Sequence, residues 1–164
     1  MNKKLSYKKR TYRSLGEILR DTVFIMGKRK TIKPLMRGKL IDDQFRERLM
    51  LAVTEVNGCR YCQYAHARMA LKCGLSQSEI DTLSTGAMQG CPPEQLPALL
   101  YAQHWAESNA HPDPETRQCV LEQYGEEVMQ AIELSLRMIR MGNLMGNTWD
   151  YVIYRLSFGR LGAA

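Results

Sequence analysis

Cys59 and Cys62 stand in a CxxC arrangement, and His66 follows the second cysteine at i+4. The dipeptide Asn57-Gly58 just before them is a turn signal. A helix restarting after it puts Cys59 in its first turn, where unsatisfied amide N–H groups and the helix dipole favour a thiolate. Cys62 then lies one turn on, close enough to form a disulfide with Cys59, and His66 shares its face. An imidazole so placed can take a proton from a thiol or return one to a leaving thiolate. A zinc site would need four ligands. There is no second CxxC, and Cys73, Cys91 and Cys119 fall at unrelated spacings. The pattern therefore favours thiol redox chemistry over zinc, and His66 as a buried, hydrogen-bonded core histidine is the plainer alternative.

The elements around this motif read as helices. Ser14 caps a short amphipathic helix that Gly27 ends, and Pro34 marks a connection. Asp42 and Asp43 suit the start of a helix with Phe45, Leu49, Val53 and Val56 on its apolar face. The helix of the cysteine pair runs to Gly74, a good left-handed terminator. Ser76 to Glu79 is a capping box, a loop spans Gly86 to Pro93, and a helix continues to about Glu107. Asp113 and Pro114 open a short helix that Gly125 stops. The segment from Glu126 to Met145 is apolar around most of its circumference, and a separate last helix covers Thr148 to Phe158. Trp105, Trp149 and the methionines of 129–145 read as core and interface. No stretch alternates polar and apolar residues, so the fold class is all-α.

The 164 residues suffice for one core, and no apolar run approaches a membrane span or the core of a secretory signal. Five cysteines, an odd number with a single recognisable spacing, do not suit a secreted disulfide scaffold. These features place the chain in the cytoplasm. Charge is uneven: residues 1–40 carry thirteen Lys/Arg against Glu17 and Asp21, whereas residues 41–164 carry ten against fifteen acids. The basic N-terminal arm has only Tyr7 and Tyr12 as aromatics and no nucleic-acid motif, so nucleic acid is disfavoured as a partner. The arm reads as a solvated tail, disordered over its first ten residues, or as a segment packing on an acidic body of its own or a neighbouring subunit.

The stretch Asn57-Gly58-Cys59-Arg60-Tyr61-Cys62-Gln63-Tyr64-Ala65-His66, with Gly74-Leu75-Ser76 and Glu79-Ile80 after it and Arg46-Glu47-Arg48-Leu49 before it, resembles the carboxymuconolactone decarboxylase superfamily in its alkylhydroperoxidase D-like (AhpD-like) branch. The similarity covers roughly residues 40–158. It implies an AhpD-like bundle of about seven to eight helices over 41–164, with 1–40 as an arm bearing a short helix. It also implies a homo-oligomer, trimer or hexamer, that reduces hydroperoxides or disulfides through the cysteine pair and is recharged by a dithiol. The resemblance implies no metal, haem or flavin, and hence no cofactor. By the same resemblance Glu47 and His66 match a proton relay, and Cys59 and Cys62 the redox pair. Tyr61 stands where the best-known branch often has a second histidine; a phenol donates a hydrogen bond but is a far poorer base. Glu55 is nearer in sequence yet weaker than Glu47, since it falls near a helix end and suits solvent. Two other readings are a lactone decarboxylase, against which the cysteine pair argues, and a non-enzymatic redox-sensing module with a basic arm.

Overall fold

A computed structural model describes residue 7 and residues 9–162. The described residues form helices and connecting loops, with no strand. Their order is α1 (Leu15–Gly27), α2 (Arg29–Met36), α3 (Asp43–Asn57), α4 (Arg60–Lys72), α5 (Gln77–Leu83), a 3-10 turn (Pro93–Gln95), α6 (Leu96–Glu107) and α7 (Pro114–Leu156). The all-α expectation holds.

Local punctuation explains most of these boundaries. Ser14, Asp42, Ser76 and Asp113 each accept a first-turn N–H at the starts of α1, α3, α5 and α7. Gly58 closes α3 in the left-handed conformation, at φ 71°, which a side chain would disfavour. The capping box at Ser76 is half realised. Its hydroxyl accepts from the Glu79 N–H at 3.1 Å, but the Glu79 carboxylate turns inward to Arg48 Nε at 2.6 Å. A buried guanidinium needs that carboxylate more than an exposed amide does.

Helix α3 is the axis of the molecule and packs against α4, α5, α6 and α7. Every residue from Phe45 to Thr54 is buried, not merely the apolar face read from spacing. The charged run Arg46-Glu47-Arg48 can lie there because each member is paired. Arg46 reaches Asp43 and the Leu35 carbonyl, Glu47 reaches His66, and Arg48 reaches Glu79 and Gln95.

Two sequence readings need correction. Pro34 lies inside α2 instead of marking a connection. That helix is only two turns long; it is anchored by the fully buried Leu35, whose carbonyl accepts from Arg46 Nη1 at 3.2 Å. Gly125, by contrast, stops the helix opened by Asp113 and Pro114 as the sequence reads: at φ 78° and ψ 167° it is non-helical, and α7 is two helices joined by a kink there. The expected gap between Met145 and Thr148 is absent, because Thr148 Oγ1 bonds the Leu144 carbonyl at 2.6 Å within one continuous helix.

The N-terminal segment is also held where it is described. Tyr7 donates to the Asn147 carbonyl at 2.8 Å, Lys9 pairs with the buried Asp150 at 3.1 Å, and Arg10 bonds the Ala106 carbonyl. Residues 1–6 and 8, and with them Lys3, Lys4 and Lys8, lie outside the described residues.

Helix α1 docks on α7 through a buried carboxylate. Asp21 is 1% exposed and accepts from Tyr12 at 2.7 Å, from Arg137 at 2.8 Å and from Arg140. Removing it strands two guanidinium groups. Asp21→Ala is expected to lower unfolding free energy by about 3 kcal/mol in urea titration; a loss below about 0.5 kcal/mol would show that the anchor carries no weight.

Candidate active site

The site begins where α3 ends. Gly58 turns the chain so that Cys59 becomes the N-cap of α4, one position before the first turn in which the spacing puts it. Its Sγ accepts the Cys62 N–H at 3.3 Å. Cys59 is 1% exposed and Cys62 half-buried, and both are free thiols. The Cys62 thiol donates to Cys59, and the backbone N–H groups of Cys62 and Tyr61 and the Asn143 amide add to it. Together they outweigh burial and bring the Cys59 thiol from the ordinary range down to about 6. The same contact pushes Cys62 well above the ordinary thiol range, because its proton is held by its neighbour. The pair thus shares one proton, with negative charge resting on Cys59.

Glu47 comes from the middle of α3 and His66 from the second turn of α4. His66 Nδ1 lies 2.7 Å from Glu47 Oε2, and the other carboxylate oxygen accepts from Arg46 Nη2 at 3.3 Å. Glu47 is 1% exposed, so its charge is compensated within the protein. With Nδ1 committed to the carboxylate, Nε2 is the nitrogen left for proton exchange. Glu47, His66 and Cys62 share the lining of a cavity of about 380 Å³, whose walls are mainly apolar and include Met36, Met50, Met69 and Met138.

The other candidates divide. Tyr61 also lines the cavity, but its hydroxyl donates to Asp150 at 3.1 Å and accepts from Arg60 at 2.9 Å. Glu55 faces a separate cleft on the Cys59 side, with Lys9, Gln63 and Ser84, and does not join His66. Among the described residues, no group of three His, Cys, Asp or Glu gathers in an arrangement able to hold a metal ion.

The residues not found from sequence all come from the distant α7. Asn143 is fully buried, donates to Thr54 Oγ1 and accepts from Asn57 Nδ2, each at 3.1 Å, and touches both sulfurs. Gly146 leaves room for the thiol: a Cβ there would stand 3.2 Å from Cys59 Sγ. Their signal was the presence of asparagines at i and i+4 (143 and 147) and glycines at 142 and 146 within a helix otherwise apolar on that face.

Residues 31–108 match the model of the carboxymuconolactone decarboxylase family. No curated protein and no solved structure matches the chain. The matched stretch runs from α2 to just beyond α6 and holds Glu47, Cys59, Cys62 and His66, whereas Asn143 and Gly146 lie beyond it. Residues 31–108, and the cysteine pair with them, are thus similar to the carboxymuconolactone decarboxylase family.

Proposed function

We propose that the protein is a thiol–disulfide oxidoreductase of the AhpD-like kind, reducing hydroperoxides through Cys59 and Cys62. The observation that carries this reading is an N-cap cysteine whose sulfur accepts the Cys62 N–H, next to a second thiol that shares a cavity with the Glu47–His66 pair.

Cys62 is the sulfur that lines the methionine-rich cavity, and so it attacks the terminal oxygen of the hydroperoxide. Its proton passes to His66 Nε2 while Glu47 holds Nδ1. The O–O bond breaks, its electron pair leaves on the alkoxide, and His66 returns the proton to give the alcohol. Cys62 is now a sulfenic acid. The Cys59 thiolate attacks that sulfur, an S–S bond forms, and hydroxide leaves and is protonated to water. An external dithiol reduces the disulfide by attacking Cys62, which expels Cys59 as the better-stabilised thiolate. Tyr61 serves as a wall of the cavity, held by Asp150, and not as a base.

Among the described residues lining the cavity there is no lysine or arginine. A carboxylated lactone would find no cation there to balance it, which favours thiol chemistry over decarboxylation. We further read the chain as a cytoplasmic homo-oligomer. Tyr64 and Trp149, 66% and 65% exposed, are the kind of surface that subunits bury.

One equivalent of hydroperoxide should produce a single Cys59–Cys62 bridge by mass spectrometry, leaving Cys73, Cys91 and Cys119 unmodified. Cys62→Ser should abolish turnover, and Cys59→Ser should allow one oxidation that a sulfenic-acid trap captures on Cys62. Wild-type peroxide and disulfide turnover in both variants would end the proposal. His66→Ala should slow turnover by about 100-fold, with Glu47→Gln acting in the same direction; unchanged rates would remove the relay from the mechanism.

The pH dependence follows from the direction of the shift. A depressed thiol is ionised above its folded value, so thiolate absorbance near 240 nm should rise through about pH 6 and disappear below it. Asn143→Ala removes one donor to the anion and should move that rise toward the ordinary thiol range. A titration left in place would show that Asn143 only packs.

A further inference from the structure

Helix α1 packs Phe24 and Ile25 against the core but presents a second apolar face to solvent. Its one fully buried residue is Asp21, while Leu15, Leu19, Val23 and Met26 are 84%, 64%, 60% and 56% exposed. At helical spacing these four form one stripe, on the face opposite Asp21. Asp21, pinned to Arg137 and Arg140, and the core-packed Phe24 and Ile25 together leave this stripe facing outward.

The cations beside this stripe are equally unusual. Arg20, Arg29, Lys30, Lys33, Arg37 and Lys39 are all exposed on α1, α2 and the turn after them, and none makes an ion pair or side-chain hydrogen bond among the described residues. Glu17, the acidic neighbour on α1, accepts the Arg13 N–H.

An apolar stripe bordered by uncompensated cations fits an anionic lipid surface. Two copies meeting through this face would bring like charges together. The acidic part of the chain offers no counterpart. Around Glu115, Glu122, Glu126 and Glu127, no large hydrophobic between Leu100 and Met145 is exposed among the described residues. Nucleic acid would use the cations and leave the stripe in water. No described helix is long and apolar enough to cross a membrane, so the contact would lie on the surface.

We propose that the exposed faces of α1 and α2 dock the protein on a membrane rich in anionic lipid. Met36, at the end of α2, is 47% exposed and also lines the cavity that holds Cys62 and His66. The docked face thus continues to the mouth of the cavity. Building on the peroxidase reading, this makes hydroperoxides carried on lipid acyl chains the substrate class.

Docking is tested on the full chain with Cys59→Ser and Cys62→Ser both present, so that thiol chemistry plays no part. Vesicles of phosphatidylcholine with about 30% phosphatidylglycerol should co-sediment the protein at low salt, with binding lost at high salt and absent on pure phosphatidylcholine. Leu19→Glu with Val23→Glu should weaken partitioning by at least about tenfold. Arg29→Ser, Lys30→Ser and Lys33→Ser together should weaken it by roughly 100-fold. All these positions except the cysteines are exposed; circular dichroism checks that the variants stay folded. Failure of the unsubstituted face to bind anionic vesicles overturns the proposal. So does unchanged vesicle binding when Leu19→Glu with Val23→Glu instead lowers the mass in sedimentation equilibrium, which assigns the stripe to a second copy. Salt-dependent binding of duplex DNA without vesicle binding overturns it in favour of nucleic acid. The substrate class is tested in the unsubstituted chain, where phospholipid hydroperoxide in anionic vesicles should be consumed at least about tenfold faster than in neutral ones. Equal rates with intact vesicle binding would leave the docking and remove the substrate assignment.

Discussion

A ladder of buried amides between the end of α3 and the middle of α7 holds the rest in place. Asn57 donates to Asn143, Asn143 donates to Thr54, and Asn147 donates to the Asn57 carbonyl and to the Arg10 carbonyl. All four side chains are at most 3% exposed, so a slip of α7 by one turn would leave several polar groups buried without partners. Registers that differ by a turn are nearly equivalent to an apolar helix, but not to this ladder. Its consequence at the site is direct. It sets Gly146 against Cys59 Sγ and aims the Asn143 amide at both sulfurs.

Buried charge works alongside this ladder, and in each case a carboxylate gathers donors from elements distant in sequence. Asp21 joins α1 to α7, Glu79 joins α5 to α3, and Glu47 joins α3 to α4. Asp150 collects Lys9 from the N-terminal segment with Arg60 and Tyr61 from the first turn of α4. Breaking any one exposes a paired ion to an apolar interior, which makes these positions strong determinants of geometry without making them large net sources of stability. At the cysteine pair, the two demands meet. The thiolate needs donors and obtains them from a helix start and an amide, while the cavity beside Cys62 is lined largely with methionine, with Glu47 and His66 at its wall.

Much of the fold was legible because capping is a local matter. Ser14, Asp42, Gly58, Ser76 and Asp113 act on N–H or carbonyl groups within a few residues, and their signatures sit in the same short stretch of chain. The CxxC spacing and His66 at i+4 belong to the same class, since one helix turn relates them. Where local signals misled, a long-range contact had replaced the local one. Glu79 left its cap for Arg48, and Pro34 was absorbed into a helix held by Leu35 and Arg46.

From its own residues the chain determines an all-helical architecture and a closely spaced cysteine pair at a helix start, because both depend on interactions spanning a turn or less. Only the tertiary structure decided which sulfur rests as the thiolate and which lines the cavity, since Asn143 and Gly146 arrive from more than eighty residues away. It likewise decided that α1 presents leucines to solvent and aspartate to the core. Amphipathic spacing identifies two faces of a helix; the guanidinium groups waiting on α7 for Asp21, and the core that receives Phe24 and Ile25, determine which of them is turned inward.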